Sequence, residues 1–160
     1  MSMPSRLSNY LLRRGIRYEV MSHTHSHSSA ETARIAHVPP HQLAKSVVLE
    51  DDDGGCVMAV VPADARVNVG LLGRMLGRDS LHLSDEQRLC ELFPDCDRGA
   101  VPAVGMAWGM DTIVDDALEQ NAELFIEAGD HDMLIRMSQQ QFRELMRDVQ
   151  HAGICRATAH

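Results

Sequence analysis

The chain has 160 residues, of which 44% are hydrophobic and 24% charged, so it is large enough for a single domain with a substantial core. Its formal net charge of −8 argues against broad, salt-driven binding to nucleic acid, although a local pocket could still hold a short nucleic-acid end. No segment approaches the roughly 18 consecutive apolar residues of a membrane span, and the N-terminus has no apolar signal core, so we expect a cytoplasmic protein without membrane contact.

The first part of the chain alternates short helical and extended patterns. They predict a helix over 4–14, a strand over 16–21, a polar loop over 22–28, a helix over 29–36, and hairpin arms over 45–50 and 56–61. Arginines 6, 13, 14 and 17 cluster near the start, which we interpret as a solvated helix end because cations favour a helix C-terminus. Ser28 and Glu31 form a capping box that opens the second helix.

The second part is predicted in the same way. The patterns give a helix over 68–77, an extended piece over 81–83, a helix from the Ser84–Gln87 capping box to 92, an irregular stretch over 93–108, a strand over 112–114, hairpin arms over 122–128 and 133–137, and a helix opened by Ser138. We therefore expect one α+β domain over 1–150 with a mixed, largely antiparallel sheet flanked by helices, and a flexible tail over 151–160.

Lys45 is the only lysine in the chain, and it stands at the mouth of an apolar, β-branched run that predicts a buried strand. An ammonium there is costly unless it reaches water, a partner or a ligand. Its pKa also moves readily on burial, which suits a functional role. Placement alone does not separate a functional lysine from one that snorkels to solvent at the strand end.

The loop from Arg98 to Gly105 is the next candidate. Its glycines would let the backbone approach a ligand, and their N–H groups could hold an anion or an oxyanion; the alternative is a plain connection. At the later turn Gly129-Asp130-His131, the imidazole and carboxylate could orient a water or bind a hydroxyl. The alternative for this turn is a solvent-exposed hairpin tip.

Other reactive side chains carry weaker signals. His23, His25 and His27 alternate as metal ligands on an extended chain could, but no second cluster matches them, and a polar loop is the preferred interpretation, in which Thr24 could still line a pocket. Cys96 precedes the glycine loop, yet nothing local supports a cysteine nucleophile. The cysteines form no C-x-x-C pair, so we expect reduced thiols. We expect neither a metal nor a cofactor.

Several of these segments occur in a recognisable order. The Lys45 strand start is followed by an acidic hairpin, a helix ending at Leu76-Gly77, the loop Arg98–Gly105, and the segments 113–118 and 127–131. Together they resemble the YbaK family, also called the prolyl-tRNA-synthetase-associated or aminoacyl-tRNA deacylase domains. The resemblance runs from about Tyr18 to Leu145, which is nearly the whole chain.

This resemblance implies a curved mixed sheet and hydrolysis of the ester between a wrong amino acid and the terminal ribose of tRNA. It implies an active pocket built from Lys45, Gly99 and Gly129, in which the lysine holds the aminoacylated acceptor end. It further implies that loop residues, namely Ala100, Val101 and Pro102 together with Gly99, offer backbone groups to the substrate. A water aided by the substrate's own ribose hydroxyl attacks, and no covalent enzyme nucleophile is expected.

One part of the loop departs from the family's commonest form, because Pro102 is followed by Ala103-Val104-Gly105. Amino-acid preference therefore does not carry over. We predict that the side chains of Met58, Val60, His23 and His131 tune it. Thr24 and Asp130 are predicted to bind substrate beside them.

The leading hypothesis is thus a trans-editing enzyme that deacylates mischarged tRNA. Its expected partners are the tRNA acceptor end and an aminoacyl-tRNA synthetase, and we expect a monomer or weak homodimer. The second hypothesis is a non-catalytic module on the same fold that binds a nucleotide, an aminoacyl ligand or a protein. A metal-binding protein that uses the histidines of 23–27 is the third.

Overall fold

The computed structural model describes residues 3–156. Five helices are formed: α1 (Ser5–Arg13), α2 (Ser29–Ile35), α3 (Val69–Leu76), α4 (Glu86–Leu92) and α5 (Gln139–Leu145). Eight strands are formed: β1 (Glu19–Ser22), β2 (Leu43–Glu50), β3 (Cys56–Pro62), β4 (His82–Leu83), β5 (Asp111–Asp115), β6 (Glu123–Glu127), β7 (Met133–Ser138) and β8 (Gln150–Ala152). Short 3-10 turns cover Pro40–Gln42, Gly105–Trp108 and Asp116–Gln120. Within this range, none of the helices is long and apolar enough to cross a bilayer.

The strands form one mixed sheet in the order β1-β7-β6-β2-β3-β5-β8, and β4 pairs with β2 off this path. The antiparallel pairs are β1 with β7, β6 with β7, β2 with β3, and β2 with β4. The parallel pairs are β2 with β6, β3 with β5, and β5 with β8. This arrangement confirms the predicted α+β domain with a mixed sheet.

Local signals set most element boundaries. Ser28, Asn68 and Ser138 each accept a hydrogen bond from a backbone N–H in the first turn of the helix that follows. Both predicted hairpins are present, because their alternating arms are joined by turn residues that cannot extend a strand. The cap of α4 lies one residue later than predicted: the side chain of Asp85, not that of Ser84, accepts from Arg88 N.

Alternate residues of the central strands face opposite sides of the sheet. The front face packs on α1 and α5, with Ala44, Val48, Met58 and Val60 in one core cluster with Leu7 and Phe142. The back face packs on α2 and α3. There Leu49 and Val61 lie in a cluster with Leu72, and Leu43 and Phe125 in a cluster with Ala33.

The prediction of a flexible tail over 151–160 is wrong for the residues that the structure describes. β8 adds a parallel strand to β5, Ile154 is fully buried, and its N–H donates to Asp115 Oδ1 (2.9 Å). Arg156 N donates to Arg66 O (2.8 Å). This strand could not be predicted from the segment's own residues, because its pairing partner β5 lies far away in sequence. Residues 157–160 lie outside the described range.

Candidate active site

Lys45 is the third residue of β2 and lies opposite Val61 of β3, on the back face. Its side chain is half-buried, and Nζ donates to the carbonyl of Ala63 over 3.4 Å. This is its only hydrogen bond within residues 3–156, although an ammonium has three donors. The lysine therefore retains donor capacity for a ligand.

Burial is the main cause that lowers the pKa of Lys45 from its ordinary value of 10.5. The guanidinium of Arg66 lowers it further, whereas Asp64 and the Cys155 thiol act in the opposite direction. An ammonium in this setting is poorly compensated, and an incoming anion would stabilise it.

The edge of β2 beside Lys45 is divided between two partners. β6 pairs with Leu43 and Ala44, and β4 pairs with Leu49 and Glu50. The glycine loop enters between them, where Ser46 Oγ donates to Val101 O over 2.9 Å. Ser46 points to the front face and Lys45 to the back, so the loop reaches the strand next to the lysine without a hydrogen bond to it within residues 3–156.

Backbone hydrogen bonds join this loop to the end of β6. Asp97 N donates to Gly129 O (2.7 Å), and Gly129 N donates to Ala100 O (3.1 Å). The imidazole Nε2 of His131 also donates to Arg98 O. The structure thus brings together the loop and the late turn, which the sequence placed about thirty residues apart. Within the described chain, the N–H groups of Gly99 and Val101 have no backbone acceptor.

The two predicted glycines have different surroundings. Gly99 is exposed, with φ +78°, and an added Cβ would lie 3.1 Å from His27 O and 3.3 Å from His131 Cε1. Gly129 is buried, with φ +100°, and an added Cβ would lie 2.5 Å from Pro4 Cδ. Both positions need glycine for conformation, but at Gly129 the space is occupied by the residue that precedes α1.

The histidine loop crosses the same hairpin tip. His23 N donates to Asp132 O (2.8 Å), and Ser26 N donates to His131 O (3.2 Å). The imidazole rings of His25 and His131 lie 5.6 Å apart, and His25 Nδ1 lies 2.9 Å from Asp132 Oδ1. Histidines 25 and 27 therefore gather around His131, while His23 Nδ1 donates to the carbonyl of exposed Thr24.

The tip itself is buried, in contrast to the alternative of a solvent-exposed turn. Asp130 is 1% exposed and His131 3%. Asp130 Oδ1 accepts from Asp132 N (2.9 Å), but Asp130 Oδ2 and His131 Nδ1 have no partner among the described residues. These two buried polar atoms therefore remain available to form a hydrogen bond with a ligand.

Glu127 is a residue that the sequence analysis missed. It is 1% exposed on the back face of β6, and neither carboxylate oxygen has a hydrogen-bond partner in the described chain. Burial raises its pKa to about 8, and Asp130 adds to the rise. The Thr32 hydroxyl lowers the pKa in part, although that hydroxyl is hydrogen-bonded to Ser26 Oγ (2.5 Å). One feature of the sequence could have indicated Glu127: it lies two residues after Phe125 in a predicted strand, so its charged side chain faces the same side of the sheet as a buried phenylalanine.

Met58 and Val60 are not brought to an accessible surface. Both are fully buried on the front face, and an added Cβ on Gly105 would lie 3.2 Å from Met58 Cβ. They pack behind the end of the loop. Cavities on the surface are lined by other residues, such as a groove of about 420 Å³ beside Arg17 and Gln141.

Neither a cysteine nucleophile nor a metal site is supported by the described geometry. Burial raises the pKa of Cys96 to about 12, which is the reverse of what an activated thiol needs. Across residues 3–156, no group of three or more His, Cys, Asp or Glu side chains is arranged to hold a metal ion.

Comparison with known proteins identifies the family. The aminoacyl-tRNA editing domain matches residues 23–145, a range that contains Lys45, the glycine loop and Gly129. The chain belongs to the aminoacyl-tRNA editing domain family. A search of curated proteins found no relative with significant similarity.

Solved structures share the fold of this editing domain. A hypothetical protein designated APE2540 matches with a TM-score of 0.83 and 20% identity, over 95% of this chain and 100% of that one. A candidate trans-editing enzyme for prolyl tRNA synthetase matches with a TM-score of 0.80 and 22% identity, over 95% and 96%. A candidate signal transduction protein from Marinobacter aquaeolei VT8 matches with a TM-score of 0.78 and 18% identity, over 98% of this chain but 31% of that one.

Proposed function

We propose that this editing domain is a trans-editing hydrolase that removes a wrong amino acid from the 3′ end of tRNA. The observation that carries the proposal is the family match over 23–145, whose range contains Lys45, Gly99 and Gly129. The reaction needs no cofactor: a water oxygen bonds to the ester carbonyl carbon, the bond to the ribose oxygen breaks, and that oxygen takes a proton.

Lys45 is the proposed electrostatic anchor for the acceptor end. Its ammonium is half-buried, carries one long hydrogen bond and has a lowered pKa, so a terminal phosphate or ribose oxygen would supply the missing partner. We do not assign it as a general base. The planar, forked guanidinium of arginine does not reproduce a compact ammonium, which makes Lys45→Arg an informative variant.

Gly99 and Val101 are the proposed oxyanion donors. Their N–H groups have no backbone acceptor among the described residues, and the bonds from Ser46, His131 and Gly129 fix the backbone around them. Preorganised amides of this kind stabilise developing charge by about 3 kcal/mol for one good donor. Ala100 and Pro102 are buried and hold the shape of the loop.

The pocket wall that sets amino-acid preference is proposed at the hairpin tip and the histidine loop. Asp130 and His131 each offer an unpartnered buried atom, and His23 and Thr24 lie on the segment that crosses them. We propose that Met58 and Val60 act only through the packing behind Gly105. We also propose that the chain acts in the cytoplasm, as a monomer or weak homodimer, on tRNA released from a synthetase.

A panel of mischarged tRNAs, incubated with purified protein, tests this function. We expect ester loss faster than in buffer for at least one aminoacyl-tRNA, and slower loss with Lys45→Ala. Loss at the buffer rate for every tRNA would favour the non-catalytic binding module instead.

A further inference from the structure

Positive charge is concentrated at one end of an acidic chain. The formal net charge is −8, yet residues 1–18 contain four arginines and no Asp or Glu. Two of these arginines, Arg6 and Arg13, are exposed on α1. They are seven positions apart, so they lie on one side of the helix about 10 Å apart along its axis.

Arg6 and Arg13 line a common groove, which we call the α1 groove. Its other lining residues are Asn9, Leu12 and Ala107, and its volume is about 350 Å³. Neither arginine forms an ion pair within the described residues. Arg14, in contrast, is bound to Asp148 (2.9 Å) and to the carbonyl of Glu144 (3.1 Å). Leu12 is 79% exposed between the two arginines, which is unusual for a large apolar side chain.

The helix that carries the groove begins beside Gly129 of the candidate active site. Pro4 precedes α1 and is the residue that an added Cβ on Gly129 would strike at 2.5 Å. Leu7 and Leu11 on the inner side of α1 are fully buried in the core cluster, so the helix is packed against the sheet.

We propose that the α1 groove binds the sugar–phosphate backbone of the tRNA acceptor stem while the 3′ end occupies the active site. This inference rests on the proposed function. Arg6 and Arg13 would each contact phosphates, because guanidinium groups bind phosphate oxygens in a bidentate manner. Leu12 would lie against the sugars. Because the rest of the protein is acidic and repels phosphates, RNA contact should be limited to the part of the stem that lies next to the site.

The decisive variant is the double substitution Arg6→Glu/Arg13→Glu, assayed on two substrates. One is full-length mischarged tRNA, and the other is the same amino acid on a 3′-terminal CCA trinucleotide. We expect kcat/KM for the tRNA to fall about 10- to 100-fold. The slope of log kcat/KM against log salt concentration should also be less steep by about 1 to 2, because fewer phosphates are contacted. Activity on the trinucleotide should be unchanged. Arg74→Glu on α3 is the matched control, because Arg74 is exposed, lies outside the α1 groove and forms no ion pair within residues 3–156.

Two results would overturn the groove assignment: unchanged tRNA kinetics in the double variant, or an equal loss on both substrates. The charge-preserving Arg6→Lys/Arg13→Lys variant is the control for misfolding and should lose less activity on tRNA than the Glu variant. If the wild type hydrolyses neither substrate, the proposed function fails. In that case the affinity of each protein for labelled tRNA, measured by fluorescence anisotropy, tests the groove separately. Equal affinity of wild type and the Glu variant would contradict the groove assignment.

Discussion

Lys45 and Glu127 are two ionisable side chains near the candidate site whose pKa values are shifted by burial. Both are on the back face of the sheet, and the register of Ala44 opposite Ile126 brings them level on neighbouring strands. The importance of Lys45 could be predicted from the sequence, because it is the only lysine and begins an apolar run. The state of Glu127 could not, since it depends on how α2 covers the end of β6.

The ionisation of Lys45 can be measured without interference from other lysines. After reductive methylation with ¹³C-formaldehyde, the chain carries one labelled lysine besides its N-terminal amine. Because burial lowers the pKa of Lys45, its resonance should titrate at lower pH in the folded protein than in the same chain unfolded in urea. Equal midpoints in the two states would contradict the burial described here.

Glu127 should make the protein less stable as pH rises. Its pKa is about 8 when folded against an ordinary 4.5, so between these values the folded chain keeps a proton that the unfolded chain has released. The free energy of unfolding should fall across this window by at most about 1.4 kcal/mol per pH unit. Glu127→Gln should remove that part of the slope in denaturant titrations at pH 5 to 8.5.

The control for this effect is Glu19→Gln, because the Glu19 side chain is 74% exposed. It should leave the pH dependence of stability as in the wild type. A wild-type slope that persists in Glu127→Gln would show that other groups cause it.

At the scale of elements, the hairpins and most helix starts could be predicted because their signals are local. β2 with β3 and β6 with β7 each join an alternating run to the next through a turn. β8 could not be predicted in this way. Its three residues are held by a parallel pairing with β5, and the apolar burial of Ile154 becomes visible only when α3 and the sheet are assembled.

The junction of α1 with the late turn should not tolerate a side chain at position 129. In Gly129→Ala the new Cβ would strike the Pro4 ring at 2.5 Å and the backbone would be held at φ +100°. We expect a loss of about 2–4 kcal/mol in the free energy of unfolding. Gly15→Ala, at φ +67° with nothing within 4 Å, should cost only about 1 kcal/mol. Equal losses would argue against the close contact.

The C-terminal strand should contribute measurably to stability. Ile154→Ala removes a fully buried side chain and should cost about 2–5 kcal/mol in chemical denaturation. Gly153→Ala, whose added Cβ meets nothing within 4 Å, should change stability by less than about 0.5 kcal/mol. A negligible effect of Ile154→Ala would mean that the segment is detached in solution.

At the scale of the whole molecule, the site depends on contacts between distant parts of the chain. The loop over 97–101 is bonded to Gly129, to His131 and to Ser46, and the segment over 23–26 crosses the same turn. The sequence predicted which segments matter, through their resemblance to an editing domain. It could not predict that the loop is bonded to Ser46, the neighbour of Lys45, because this contact depends on how β4 and β6 divide the edge of β2.

The proposed function is hydrolysis of mischarged tRNA by this editing domain, with Lys45 at the site. The most direct measurement is the rate of deacylation of a panel of mischarged tRNAs by wild type, Lys45→Ala, Lys45→Arg and the surface control Arg74→Ala. We expect wild type and the control to deacylate at least one tRNA, while both Lys45 variants lose about 100-fold or more of that rate. Wild-type rates in both Lys45 variants would contradict it.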